Sequence, residues 1–77
     1  MEIKVLGSGC AKCKKLYAEV EKAVSESNVN ASITKVEKMD EITSFGVMST
    51  PALVVDNVVK CSGRIPSTKE IMDWIKP

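Results

Sequence analysis

The chain has 77 residues, enough for one small domain with one packed core. Its composition is that of a globular protein, with 44% hydrophobic and 27% charged residues. The 11 basic and 10 acidic side chains nearly balance, which argues against a nucleic-acid-binding protein, and the absence of histidine excludes Ser-His-Asp and Cys-His catalysis. We expect a single domain over residues 1–77.

The cysteine content and the N-terminal residues favour a cytoplasmic location. Three cysteines are too few for the even-numbered framework of a disulfide-stabilised secreted domain. The first seven residues lack the basic segment and long apolar core of a signal peptide, and no apolar run approaches the ~20 residues that span a membrane. We therefore expect a cytoplasmic monomer with neither membrane nor nucleic-acid partners.

The first half of the chain predicts a strand, a helix and a second strand. Residues 2–6 predict a short strand, which Gly7-Ser8-Gly9 ends. From about Cys10 to Ser27 the apolar residues recur with the spacing of an amphipathic helix. Asn28-Val29-Asn30 ends that helix, and a second strand is predicted from about Ala31 to Val36.

The second half begins with a short helix and continues with a hairpin. Residues 39–45 have apolar side chains at helical spacing, and Gly46 follows where a helix would end. Ala52–Val55 and Val58–Cys61 are β-branched runs joined by Asp56-Asn57, which predicts two antiparallel strands.

The last element is a helix, which completes an α/β fold. Ser67 and Glu70 have the spacing of a capping box, so a helix should run from there to about Lys76, with Trp74 in the core. The order is β-α-β-α-β-β-α, with a parallel first β-α-β unit and an antiparallel last pair. We expect a mixed four-stranded sheet flanked by helices. Three methionines are assigned to core or groove packing: Met39, Met48 and Met72.

Cys10-Ala11-Lys12-Cys13 is the motif with evident chemistry, at the junction of the first strand and the first helix. Cysteines three apart on a helix share a face, with Cα atoms about 5–6 Å apart, which suits a disulfide. A sulfur at a helix N-terminus faces free N–H groups and the positive end of the helix dipole, which favour thiolate. Lys12 adds positive charge and is a candidate electrostatic modulator.

The two cysteines are predicted to differ in role. Cys10 stands at the helix start, where exposure is greatest, and should be the nucleophile. Cys13 lies one turn later on the apolar stripe and should be the resolving thiol. Cys10 would attack a substrate disulfide, and Cys13 would then attack the mixed disulfide and release reduced substrate.

Two other functions stay open at this point. A metallochaperone of the ferredoxin-like kind also places CxxC between a first strand and a first helix, and thiolates bind Cu(I) or zinc. No methionine directly precedes Cys10 and the chain ends in a helix, which count against it. The other alternative is a non-enzymatic interaction module in which the cysteines are incidental.

The combined pattern resembles the thioredoxin superfamily. It consists of Gly9-Cys10-Ala11-Lys12-Cys13 after the first strand, Thr50-Pro51 before the hairpin, Gly63 after it, and a C-terminal helix. Over nearly the whole chain it is most similar to the small thioredoxin- or glutaredoxin-like redox-active disulfide proteins of archaea and bacteria. The resemblance implies the thioredoxin fold and a thiol–disulfide oxidoreductase whose redox pair is Cys10 and Cys13.

The resemblance also implies partners and a substrate site. Protein disulfides would be reduced without a cofactor or metal, with electrons from a disulfide reductase or a low-molecular-weight thiol. Pro51 would be a cis-proline, Ser49 and Thr50 would pair with an extended substrate segment, and Gly63 would lie on the groove rim.

One departure from the superfamily pattern concerns the resolving thiol. Thioredoxins carry a buried aspartate six residues before the first cysteine, where this chain has Lys4. The group that accepts the proton of Cys13 is therefore not identified by the resemblance.

Cys61 stands apart from the motif. Its position in a strand, with the parity of Val59, favours a small buried residue. The alternative is a regulatory thiol that forms mixed or intermolecular disulfides.

Overall fold

A computed structural model describes residues 1–7 and 11–75. The strands are β1 (Glu2–Leu6), β2 (Ser32–Val36), β3 (Ala52–Val55) and β4 (Val58–Ser62), and the helices are α1 (Ala11–Ser27), α2 (Met39–Ser44) and α3 (Thr68–Trp74). The predicted order of elements is confirmed, and most boundaries agree within one residue. The predicted helix start at Cys10 and the predicted end at Lys76 lie outside the described residues.

The four strands form one mixed sheet in the order β2-β1-β3-β4. β1 runs parallel to β2, with Leu6 opposite Val36. β3 runs antiparallel to β1, with Leu6 opposite Ala52. The predicted α/β fold with a mixed four-stranded sheet flanked by helices is confirmed, and the end of β1 lies beside the start of β3.

The sheet separates two apolar clusters. The larger cluster lies between the sheet and helices α1 and α3, and its buried members are Ile3, Val5, Leu16, Val20, Ala23, Leu53, Val55, Cys61, Ile71 and Ile75. The smaller cluster lies on the α2 side and contains Leu6, Val36, Ile42, Val47, Ala52 and Val54. Burial of each large aliphatic side chain contributes about 1.5–3 kcal/mol, so α1 is held firmly against the sheet.

A tight turn joins β3 and β4. Asp56 and Asn57 both have positive φ, 48° and 67°, as the two central residues of a type I′ turn require. The Asp56 N–H donates to the Glu2 carbonyl oxygen at 2.8 Å, and the Asp56 carboxylate accepts from the Glu2 N–H at 2.8 Å. The predicted hairpin is therefore confirmed and is tied to β1.

A β-bulge changes which face the residues of β4 occupy. Leu53 pairs with Cys61 while Val54 pairs with Val59, so Lys60 is an extra residue on β4. Cys61 thus faces the α1 side, where it is 9% exposed, and Val59 faces the other side at 37% exposure. The burial predicted for Cys61 is confirmed, but the reason given for it, the shared parity with Val59, is wrong.

The predicted capping box at the start of α3 is confirmed. The Ser67 hydroxyl accepts from the Glu70 N–H at 3.2 Å, and the Glu70 carboxylate accepts from the Ser67 N–H at 3.1 Å. Arg64 donates two further hydrogen bonds to the same carboxylate, at 2.9 and 3.3 Å. The segment between β4 and α3 is therefore anchored through one acidic side chain.

Four large side chains are less buried than predicted or lie at the margin of the core. Met48 is 98% exposed and Met39 is 66% exposed, so neither packs in the core. Trp74 and Met72 are half-buried and pack against the larger cluster from its edge. Within residues 1–7 and 11–75, none of the helices has the length and apolar character needed to cross a membrane.

Candidate functional site

Cys13 lies in the first turn of α1 and faces the sheet. It belongs to the same buried stripe of the helix as Leu16 and Val20, and it is 6% exposed. The sequence predicted this placement, since Cys13 continues the apolar spacing of the helix. A buried thiol here has restricted contact with solvent, as a resolving cysteine would.

The Cys13 sulfur packs directly on the backbone of Gly7. An ideal Cβ added at Gly7 would overlap that sulfur and lie 3.1 Å from the Cys13 Cβ. The Gly7 N–H donates to the Val36 carbonyl oxygen at 2.9 Å, which continues the β1–β2 pairing by one residue. The residue after β1 therefore has to lack a side chain, a requirement that the sequence pattern, with Gly7 taken only as a strand breaker, did not reveal.

The charge around the start of α1 is positive in the described residues. Lys12, Lys14 and Lys15 are exposed, and the first turn of α1 contains no acidic residue. Both the lysines and the helix dipole favour a nearby anion. Cys10 lies outside the described residues, so its acidity and its distance from Cys13 stay predictions.

The predicted proline site lies at the same end of the sheet as Cys13, where β1 finishes and β3 begins. The Thr50–Pro51 peptide bond is cis, and Pro51 is fully buried while Ser49 and Thr50 are exposed. Because Ala52 pairs with the last residue of β1, Pro51 lies beside the end of that strand, where Gly7 meets Cys13.

Gly63 joins this group through its backbone. Its N–H donates to the Pro51 carbonyl oxygen at 2.9 Å. Its φ of 76° lies in the region that favours glycine, and a Cβ there would come within 3.2 Å of the Ser49 Cβ. The structure thus brings Gly63 against Ser49 and Pro51, although the hairpin separates it from them in sequence.

A cleft beside Cys13 was not anticipated from the sequence. It has a volume of about 80 Å³ and is lined by Val5, Gly7, Cys13, Lys14, Lys35 and Glu37. Lys35 pairs with Val5 across β1 and β2, so it points to the α1 side, where its ammonium lies 4.7 Å from the Tyr17 ring centroid. In the sequence, the alternation of side chains along β2 was the available signal that Lys35 faces α1, and it can be used only once the register with β1 is known.

Lys4 does not face Cys13. Its neighbours Ile3 and Val5 belong to the α1-side cluster, so Lys4 points to the opposite face of the sheet. There its ammonium pairs with the Glu2 carboxylate at 3.2 Å and lies 5.1 Å from the Phe45 ring centroid. This lysine therefore lies on the α2 side of the sheet, opposite the side that Cys13 faces.

Cys61 is buried in the larger cluster, and burial raises the pKa of its thiol. The positive charge of Arg64 and a backbone hydrogen bond at Leu53 lower this pKa, but by less than burial raises it. A thiol with a raised pKa carries little thiolate at neutral pH and is a poor nucleophile.

The element order separates this chain from the ferredoxin-like alternative. A ferredoxin-like domain has the order β-α-β-β-α-β, whereas here α2 precedes the hairpin and α3 follows it. The fold required by the metallochaperone hypothesis is therefore not the fold of this chain.

Comparison with known proteins agrees with this architecture. A family model described as a thioredoxin domain matches residues 1–76. A thioredoxin of Methanocaldococcus jannaschii is 40% identical over 74 residues, covering 96% of this chain and 85% of that protein. A thioredoxin of Methanothermobacter thermautotrophicus is 38% identical over 71 residues, covering 92% of each chain.

Proposed function

The chain belongs to the thioredoxin family and is a thiol–disulfide oxidoreductase, and we propose that Cys10 and Cys13 are its redox pair. The observation that carries this proposal is the position of Cys13. It is buried in the first turn of α1, at the end of the sheet where Pro51 lies. Cys10 precedes Cys13 by three residues in the sequence.

The exchange proceeds in two steps that need no cofactor. The Cys10 thiolate attacks a substrate disulfide, forms a mixed disulfide and releases one substrate thiolate. The Cys13 thiolate then attacks the Cys10 sulfur, and the electron pair of the broken bond leaves with the second substrate thiolate. Two electrons pass from the dithiol to the substrate, and Cys10 and Cys13 end as a disulfide.

The exposed segment before Pro51 is the proposed docking site for the substrate chain. Ser49 and Thr50 are exposed, and an extended peptide can pair with backbone groups there. Gly63 keeps the adjacent rim open, since a side chain at that position would crowd Ser49. Lys12 contributes positive charge beside the thiolate of Cys10.

Thioredoxins in general exchange electrons with protein disulfides and with a disulfide reductase. For this chain we include a low-molecular-weight thiol as an alternative electron donor. The proposal places a single domain of residues 1–77 in the cytoplasm as a monomer, acting without a metal. The ferredoxin-like metal chaperone has no support from the fold or from the relatives.

Three single substitutions test the redox pair. Cys10→Ser should abolish reduction of a model protein disulfide, because no other thiol begins the exchange. Cys13→Ser should accumulate the mixed disulfide, which mass spectrometry detects. Cys61→Ser is the matched control and should retain wild-type rates. Full activity of Cys10→Ser would refute the assignment.

A further inference from the structure

The cleft beside Cys13 connects a buried sulfur with the surface. Cys13 and Gly7 form part of its wall, and the exposed side chains of Lys14, Lys35 and Glu37 complete it. The cleft has a volume of about 80 Å³, which is enough to admit water. It is therefore a route by which a proton can leave the Cys13 thiol.

The second step of the exchange needs such a route. Only a thiolate attacks a disulfide, and an ordinary cysteine, with a pKa of about 8.5, is mainly protonated at neutral pH. Cys13 is nearly buried, so bases in bulk solvent approach its sulfur less readily than a base in the adjoining cleft. A group in that cleft that accepts the proton would accelerate the step.

Among the described residues, the cleft offers one such group. Lys14 of α1 and Lys35 of β2 carry ammonium groups, which donate and do not accept. Val5 of β1 and Gly7 after it have no side chain that accepts a proton. Glu37 is the one carboxylate in the lining.

The backbone fixes Glu37 relative to Cys13. The hydrogen bond from the Gly7 N–H to the Val36 carbonyl oxygen, 2.9 Å long, ties the residue before Glu37 to the residue on which the Cys13 sulfur packs. Glu37 therefore directly follows a residue that is hydrogen-bonded to Gly7, and Glu37 and Cys13 line the same cleft. Proton transfer through one water is within the reach of general-base catalysis.

We propose that Glu37 accepts the proton of Cys13, through water in the cleft, as Cys13 attacks the mixed disulfide. The S–H bond of Cys13 breaks, and its proton passes to the Glu37 carboxylate. A bond forms between the Cys13 and Cys10 sulfurs, and the electron pair of the Cys10–substrate bond leaves with the substrate sulfur. The protonated Glu37 then returns its proton to solvent or to the departing thiolate. This inference rests on the proposed roles of Cys10 and Cys13.

The test separates the two steps in a single turnover with Ellman's disulfide. Attack by Cys10 releases the first thionitrobenzoate, and attack by Cys13 releases the second. Glu37→Gln should leave the first phase unchanged and slow the second at least about tenfold at neutral pH, a modest share of the usual effect of a general base. The deficit should shrink above about pH 9, where a cysteine ionises without help.

The sign of the effect distinguishes proton acceptance from simple charge. Removing the carboxylate leaves Lys14 and Lys35 as the charged groups of the described cleft lining. Their positive charge favours the thiolate of Cys13, so a purely electrostatic role predicts a faster second phase. Glu37→Asp, which keeps the carboxylate, should recover part of the rate. The matched control is Glu41→Gln, an exposed charge removal in the first turn of α2, away from the cleft lining.

The outcomes are separable. An unchanged or faster second phase in Glu37→Gln, or an equal loss in Glu41→Gln, overturns the assignment of Glu37. If the wild-type protein keeps the first thionitrobenzoate adduct and forms no Cys10–Cys13 disulfide, the redox pair is overturned instead.

Discussion

The Cys13 sulfur packs against Gly7 at the position that a Cβ on residue 7 would occupy. This contact joins the end of β1 to the first turn of α1, and it fixes the depth at which the proposed resolving thiol is buried. Glycine is required here for close approach.

Gly7→Ala should therefore displace the Cys13 sulfur. Overpacking of this kind costs about 1–3 kcal/mol in free energy of unfolding, measured on the reduced protein by urea denaturation. The second thionitrobenzoate phase should slow as well, because the sulfur no longer lies in its place beside the cleft.

Gly46→Ala is the control for that substitution. Gly46 has a φ of 79° and no heavy atom within 4 Å of an added Cβ, so alanine should cost about 1–2 kcal/mol through backbone strain alone. Its second phase should match the wild type. Equal slowing in both glycine variants would mean that lost stability, and not the contact with Cys13, sets the rate.

Gly63 and Ser49 permit a double-mutant test of the proposed docking site. Gly63→Ala combines backbone strain at a φ of 76° with a Cβ at 3.2 Å from the Ser49 Cβ. We expect KM for a protein disulfide to rise several-fold, while the rate with Ellman's disulfide, which needs no extended pairing, changes little. Steady-state rates of the variant and the wild type with the protein disulfide and with Ellman's disulfide test this prediction.

Ser49→Gly in the Gly63→Ala background removes the crowding and leaves the strain. It should restore part of the affinity for the protein disulfide without restoring all of the stability. If KM stays at the wild-type value in Gly63→Ala, the rim does not contact the substrate chain.

Glu70 makes the stability of the fold sensitive to acid. The hydrogen bonds from Arg64, with a further one from the Ser67 N–H, lower the pKa of this carboxyl from 4.5 to about 2. Between these values the unfolded chain binds the proton and the folded chain does not. The contribution of Glu70 is thus complete above about pH 4.5 and is lost as the pH falls toward 2.

Glu70→Gln should flatten the fall in Tm between pH 5 and pH 2, as thermal unfolding monitored by circular dichroism would measure. Glutamine can still accept the Ser67 N–H of the capping box, so the substitution isolates the charge. Both partners are about half exposed, and the effect should be modest. Parallel wild-type and variant profiles would contradict the role assigned to this ion pair.

Local patterns were sufficient to predict most of the fold. β1 alternates charged and apolar residues and is followed by Gly7, β3 is an apolar run, and α3 starts at a capping box, so neighbours in sequence define them. The bulge at Lys60 depends on how β4 pairs with β3, and no local signal marks it. Met48 appeared suitable for packing as an apolar residue, yet its loop leaves it 98% exposed.

The site divides in the same way. Cys13 was predictable because helical spacing places it on the buried stripe. The place of Glu37 in the cleft lining was not predictable, because it depends on the parallel register of β1 and β2 and on the hydrogen bond from Gly7 to Val36. Parallel strands are joined through a long crossover, so this register is set by tertiary packing.

A hydrogen bond joins α3 to α1, the helix that carries Cys13. The Thr68 hydroxyl at the start of α3 donates to the Glu19 carboxylate on α1, in a partly buried setting. Thr68→Val removes the donor with little change of shape and should lower the free energy of unfolding by about 1.5–3 kcal/mol, the usual range for a bond to a charged group. Thr68→Ser retains the hydroxyl and should lose much less in the same urea titration; equal losses would show that the methyl group matters instead.

Cys61 should behave as a structural thiol and not as a regulatory one. Its burial among the α1-side residues raises the pKa of the thiol, so little thiolate forms at neutral pH. Iodoacetamide should label Cys61 at a small fraction of the Cys10 rate at pH 7, with the rate rising steeply as the pH approaches and passes the raised pKa. Peptide mapping by mass spectrometry after timed quenching measures both sites in one sample. A denaturing concentration of urea should remove the difference between the two sites. Rapid labelling of Cys61 in the folded protein, or a disulfide-linked dimer that forms in the wild type and is absent in Cys61→Ser, would assign it a regulatory role.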